Sequence, residues 1–385
     1  MEKHLSAPVS IVPCTDYEPS TVRAALERAI REAGGLPELT GKRVGIKANL
    51  VSAMKPEEAA TTHPALLASL VRLLLEWGAR EVVVGDSPGG LYTPAFVHRV
   101  YRTAGLDAVV EAGGLLNEDF SQKSTVYEQA AALKTFTYTG WIDTCELLID
   151  FCKLKSHGMM GMSNAVKNLF GIIPGTMKPE YHFRFPEQDD FADMIVDLAE
   201  FTKPALSICD AVVGMEGNGP TQGVPRQIGA IMASSDPHSL DMVAARIIGL
   251  RPSEVPTLAA AQRRGLAPES LDGIQVVGPL SELCLSDFKN VAVRRSLRFS
   301  GNGRWYSRAF SAVAGKLLSS RPILRKGCIS CRKCHDICPA KAIEMRNGKP
   351  MINRDKCIRC FCCQEFCPVG AMQVYRTPIA RLLTK

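Results

Sequence analysis

Two runs of cysteines carry the densest chemistry in the sequence. Cys328, Cys331, Cys334 and Cys338 precede Pro339, and Cys357, Cys360, Cys363 and Cys367 precede Pro368, each spaced CxxCxxCxxxCP. The second run repeats the first after 29 residues, and the flanking CPAKAIEM and CPVGAMQV echo each other. Nine of the fourteen cysteines fall between Cys328 and Cys367, so the thiols work as a unit. Zinc sites want two separated CxxC pairs, not three ligands in a run plus a distant fourth. Disulfides need an oxidising compartment, for which no feature of the chain argues. Cys362 fits no ligand register and reads as a bystander thiol. His335 reads as a neighbour of the ligands, because the cysteine set is already complete.

The duplicated run resembles the bacterial two-[4Fe–4S] ferredoxins from roughly Leu324 to Tyr375. Two-residue gaps let three thiolates of one tight loop cap three irons, and the proline turns the fourth thiolate toward the other cluster. That assigns Cys328, Cys331, Cys334 and Cys367 to one [4Fe–4S] cluster. Cys357, Cys360, Cys363 and Cys338 hold the second. An additional flavin or metal is left open by the sequence. Arg332, Lys333, Lys341, Lys356 and Arg359 flank the ligands. Positive charge there favours the reduced clusters, so the sequence predicts potentials above those of an acidic ferredoxin.

The rest of the chain differs in charge. Residues 1–288 hold 25 Lys+Arg against 35 Asp+Glu, while 289–385 hold 21 against 4, and the two parts sum to the net +7. The sequence divides into an α/β domain (1–288), a basic linker with a short helix near Arg304–Ser319 (289–323), the ferredoxin-like domain (324–377) and a basic tail (378–385). The basic stretch suits docking on an acidic surface, and with the clusters it points to a small acidic electron carrier of ferredoxin or flavodoxin type, or to a partner reductase. No helix-turn-helix, zinc-finger or RNA-binding signature accompanies the charge, which argues against nucleic acid. No apolar run approaches the ~20 residues of a membrane span, and the N-terminus lacks a signal-peptide core. A cytoplasmic location follows as the expectation.

Up to Phe288, short β-rich runs alternate with helical patterns. Strands are predicted at Val9–Val12, Arg43–Ala48, Glu81–Gly85, Leu147–Leu154, Ala205–Val213, Ile228–Ala233 and Ile274–Val277. Intervening helices, one over Ser163–Phe170, begin at several sites with proline in the first turn. Such alternation predicts an α/β fold, a wound and mainly parallel sheet with helices on both faces, followed by the small α+β ferredoxin-like domain. Strand order is not legible. In open parallel sheets ligands bind beyond the carboxyl ends of the strands. Four predicted strands end there in loaded segments: Lys47 to Asn49, DSPGG, KSHGMMG and GMEGNGPTQG. These supply His157, Lys167, Asp86 and Glu216 as candidate catalytic residues, and Lys47, Asn49, Asn168 and Asn218 as candidate binding residues. Lysine and amides on a short helix beside a histidine suit an anionic ligand. His182, in PEYHFRF, reads as part of a lid loop. GxGxxG, GxxxxGK[ST] and HExxH are all absent, which withdraws the usual support for nucleotide and zincin readings.

GDSPGG, KLKSHGMMGMSNAVKNLFG with PGTMK after it, and DAVVGMEGNGPTQG, in this order, resemble the domain of unknown function 362 family, whose members often carry a C-terminal two-cluster module. The resemblance implies an iron–sulfur protein and assigns no reaction. A looser likeness is to the lactate-racemase-like nickel-pincer proteins, and fold likeness does not carry chemistry. The sequence thus predicts an iron–sulfur oxidoreductase relaying electrons to a small anionic substrate or cofactor. Its alternatives are a non-catalytic electron-transfer protein with a docking α/β domain, and a cofactor-maturation role with structural clusters.

Overall fold

The computed structural model describes residues 6–291 and 321–375. The predicted linker helix and the basic tail lie outside the described residues. Eleven strands build the α/β part: β1 (Ser6–Pro13), β2 (Arg43–Lys47), β3 (Glu81–Gly85), β4 (Leu115–Leu116), β5 (Gln122–Val126), β6 (Thr135–Thr139), β7 (Leu147–His157), β8 (Gly161–Ser163), β9 (Leu206–Asn218), β10 (Gln222–Ser234) and β11 (Ile274–Val277). The main sheet has the order β11-β1-β10-β9-β7-β2-β3-β4, with β8 hooked onto β7. Only β10 and β8 run against the rest, since β1–β11, β2–β3, β2–β7, β3–β4 and β7–β9 pair in parallel. Strands such as VVVG of β3 are buried almost throughout, as a parallel sheet covered on both faces requires. The antiparallel β5–β6 hairpin stands outside this sheet.

Four strands, β1, β7, β9 and β10, outrun their predicted ends, and antiparallel pairing explains the last three. β7 continues through Lys155 to His157 because β8 turns back and pairs Lys155 with Ser163. The segment expected as a Gly-rich loop, Gly214–Gly223, is mostly hairpin, with Gly214 opposite Arg226 and Asn218 opposite Gln222. The antiparallel partner supplies hydrogen bonds that outweigh the low strand propensity of glycine. Gly214 is also where Ile228 and the Leu154 carbonyl crowd the backbone, so a side chain there has no space. The helix expected over Ser163–Phe170 shortens to Ala165–Asn168 followed by a tighter turn, Leu169–Ile172. His182 lies on a helix, Lys178–Arg184, not on a loop.

In the C-terminal module Arg321–Leu324 pairs with Met372–Tyr375, and Ile343–Arg346 with Lys349–Ile352, both antiparallel. The duplication extends to the backbone. Ser330 and Arg332 in the first cysteine loop, and Arg359 and Phe361 in the second, all adopt positive φ of 58–64°. A short helix follows in each, Lys333–Asp336 and Cys362–Glu365. The second repeat is seated on the α/β part: Gln364 donates to the Asn218 carbonyl at 2.9 Å, and Thr221 and Gln222 donate to the carbonyls of Glu365 and Cys367, each at 2.9 Å. Phe361 is buried in the apolar cluster that contains Met159, Val166 and Phe170.

Asp241 fixes the short helix that carries Lys167 and Asn168. Its buried carboxyl accepts from the amides of Ala165 at 2.9 Å and Val166 at 3.4 Å. Asp241→Ala leaves these buried donors unpaired, at a cost of about 1–3 kcal/mol. Urea unfolding of the variant checks it, and an unchanged midpoint would show the carboxyl to be dispensable.

Candidate functional site

The carboxyl ends of β2, β3 and β7 converge under the helix Cys362–Glu365 and enclose a cavity of about 80 Å³. Lys47, Asn49, Asp86, His157, Lys167 and Asn168 line it together, with Lys155, Lys178, His182, Cys362 and Glu365. Two of the eight predicted α/β site residues do not line it. Glu216 is buried and turned to Lys289, accepting from its amide at 3.1 Å and lying 3.3 Å from its ammonium. Asn218 uses its carbonyl to dock Gln364. The glycine-rich segment holds the two modules together and reaches the cavity through Pro220 rather than through Glu216 or Asn218.

A polar chain runs beneath the cavity. Asn168 donates through Nδ2 to Asp150 Oδ1 at 2.7 Å, which turns its own oxygen toward Lys47 Nζ at 3.1 Å and Asn49 Nδ2 at 2.8 Å. Asn49 Oδ1 then accepts from Lys155 Nζ at 2.8 Å. Burial pushes Asp150 up to about 8 despite the pull of Lys47. Asp86 is fully engaged, by Lys47 Nζ at 2.8 Å and by the amides of Leu50 and Ser87 at 2.7 and 2.8 Å. It acts as an anchor. Gly171 packs against this pair, where a Cβ would strike Asp86 Oδ1 and Lys47 Nζ.

The amines differ in how they are satisfied. Among the described residues Lys155 has no carboxylate partner and donates to Asn49 and to the Ala60 carbonyl at 2.7 Å, and burial lowers it to about 7. Lys178 donates to the Ser87 carbonyl and is likewise lowered to about 7 by burial. Lys167 has no hydrogen-bond or ion-pair partner among the described residues. Its Nζ lies 4.7 Å from the Phe170 ring centroid, and burial lowers its pKa against the pull of Glu365. His157 Nδ1 accepts from the amides of Met159 at 3.1 Å and Met160 at 3.3 Å. The proton of the neutral ring therefore sits on Nε2, which faces Glu365 Oε1 at 3.4 Å. Burial and the neighbouring lysines hold His157 well below its usual pKa. His182 stacks on Phe191 at 4.4 Å and is lowered to about 3 by burial, with its buried Nδ1 unpartnered.

Lys178 was within reach of sequence reasoning, as the lysine of the quoted PGTMK. Glu365 and Cys362 were not. They occupy the helix that matches Lys333–Asp336 of the first repeat, where Asp336 is exposed, and only docking distinguishes the two. Cysteines of the two runs lie near one another across the repeats. Cys334 feels Cys367, Cys331 and Cys328, while Cys357 feels Cys360 and Cys338. Cys363 also lies among Cys360, Cys357 and Cys338. Left-handed residues recur at matching positions of the two loops, and soft thiolates suit iron–sulfur ligation. Among the described residues no group of three His, Cys, Asp or Glu is arranged to hold a single metal ion. Arg332, Lys333, Lys341, Lys356 and Arg359 are all exposed, where solvent weakens their pull on the ligands.

An anion binds best when the cavity amines are charged. Lys155 and Lys178 lose their protons near pH 7 in the folded chain, facing Asp86, Glu365, Lys47, Lys167 and the two neutral histidines. Anion affinity therefore falls as pH rises through 7, and binding at pH 8 takes up protons. Calorimetry in buffers of different ionisation enthalpy measures the uptake. Between about pH 7 and the ordinary lysine value the folded state holds fewer protons than the unfolded one, so their burial destabilises the fold most at the acid end of that window.

Residues 44–246 match the profile of the domain of unknown function 362, and residues 323–368 match a 4Fe-4S dicluster domain, which marks the C-terminal module as iron–sulfur binding. A thylakoid-associated protein of Synechocystis sp. is 31% identical over 292 residues, covering 73% of this chain and 87% of that protein. Two solved structures are similar to parts of the fold: a Thermotoga maritima protein (TM-score 0.35, 13% identity, 54% of this chain and 53% of that one) and the lactate racemase apoprotein of Thermoanaerobacterium thermosaccharolyticum (TM-score 0.37, 13% identity, 62% and 56%). The chain thus spans little more than half of either solved structure. Among the described residues no helix is long and apolar enough to cross a membrane. With its profile match and its relative, the chain belongs to the domain of unknown function 362 family.

Proposed function

We propose that the chain is an oxidoreductase that passes electrons to an anionic substrate or cofactor held by the cavity lysines. One observation supports this above all: Glu365 and Cys362, between the ligand cysteines, line the same cavity as Lys155, His157 and Lys167. Two [4Fe–4S] clusters, held as Cys328, Cys331, Cys334 with Cys367 and Cys357, Cys360, Cys363 with Cys338, supply one-electron transfer when bound. Lys167, which has no hydrogen-bond or ion-pair partner among the described residues, receives the anionic group. His157 Nε2–H orients it by hydrogen bonding, and Lys155 and Lys178, titrating near 7, supply protons as charge accumulates. Asp86 and Asn168 hold Lys47 in place. A purely docking α/β domain gives no reason to bury Lys155 with no carboxylate beside it among the described residues, and such burial costs stability.

Electrons enter, on this reading, at the first cysteine loop. Cys331 is exposed, Ile329 is 60% exposed beside it, and Arg325, Lys326 and Arg332 surround them on the surface. An apolar tip ringed by positive charge suits a small acidic carrier. A reducing, cytoplasmic compartment suits the thiolates.

In His157→Ala the iron content and cluster EPR signal stay as in the wild type, while ligand-dependent reoxidation of the reduced clusters slows about 100-fold or more. Stopped-flow absorbance after anaerobic reduction reads the rate. Wild-type reoxidation rates in this variant remove His157 from the chemistry.

A further inference from the structure

We propose that the lysine cavity is the closed end of a longer site, whose ligand is an organic acid with an extended apolar body. This rests on the reading of the cavity as an anion site. The cavity holds about 80 Å³, room for a carboxylate or phosphate group, and adjoins a groove of about 1110 Å³ between the α/β domain and the first cysteine loop. Ser52, Gly89, Glu365 and Phe366 line both spaces. Gly89 sits where a Cβ would strike the Phe366 ring, so these two residues pack together at the boundary that the two spaces share.

The chemistry changes across that boundary. Four lysines crowd the cavity, against the carboxylates of Asp86 and Glu365. In the groove Glu58, Asp336 and Glu365 face Arg99 and Lys333, leaving no excess of positive charge to hold an anion. Its walls offer Met54, Leu91, Phe96, Ile337 and Pro368, drawn from both modules. Leu91 is 58% exposed, and apolar surface of this kind inside a concave groove marks a binding region. A small inorganic anion would leave all of it uncovered. An organic acid uses both parts, with its charged end on the lysines and its body along the groove.

Calorimetry on the anaerobically reconstituted full chain, with acetate and decanoate as probes, tests this. Decanoate binds about tenfold tighter than acetate or better, because its chain removes apolar surface from water. Leu91→Asp and, from a different loop, Met54→Glu each remove about tenfold of the decanoate affinity and leave acetate unchanged. Lys167→Gln weakens both probes. Equal affinities, or decanoate binding indifferent to both groove variants, overturn the extended site. Acetate binding that still depends on Lys167 would in that case preserve the anion cavity. If neither probe binds, both readings fail together.

Discussion

The hydrogen bond from Asn168 Nδ2 to Asp150, 2.7 Å long and buried, decides how every polar group above it is turned. An amide that gives its hydrogens downward must offer its oxygen upward, and Lys47 and Asn49 both donate to that oxygen. Asn49 inherits the same polarity and presents its oxygen to Lys155. Two amides therefore convert one buried acid into a set of correctly aimed amines without placing a carboxylate beside each. That economy leaves positive charge poorly compensated, which is costly in a buried site and valuable for holding an anion.

How much of this was legible in the sequence depends on whether the information is local. Glu81–Gly85 was predicted with its observed limits, because VVVG is a short apolar run bounded by polar residues. The cysteine loops were legible for a related reason, since their spacing is itself the ligand geometry. The ends of β7 and β9 were not, because pairing with β8 and β10 extends them and no residue of the strand announces a partner. Lys47, Asn49, Asp86, His157, Lys167 and Asn168 were gathered by one rule, that parallel strands present their carboxyl ends on one edge. The same rule misplaced Glu216 and Asn218, whose segment continues as strand. Glu365 depends on how two modules pack, and composition carries no trace of that.

The two charge populations act at different depths. Among the described residues the basic side chains beside the cysteine loops, such as Arg325, Lys326, Arg332, Lys333, Lys356 and Arg359, lie at the surface. The amines that set the interior field belong to the nominally acidic α/β part. Net charge per domain thus hides a local inversion: the acidic half holds the positive cavity, and the basic half contributes the carboxylate of Glu365 to it.

The helix Cys362–Glu365 is at once cavity wall and part of a metal-binding loop. The contacts that seat the second cysteine run, Gln364 on the Asn218 carbonyl and Thr221 on the Glu365 carbonyl, therefore also hold the roof of the cavity in place. A change in that run reaches the lysines directly through Cys362 and Glu365, with no element between.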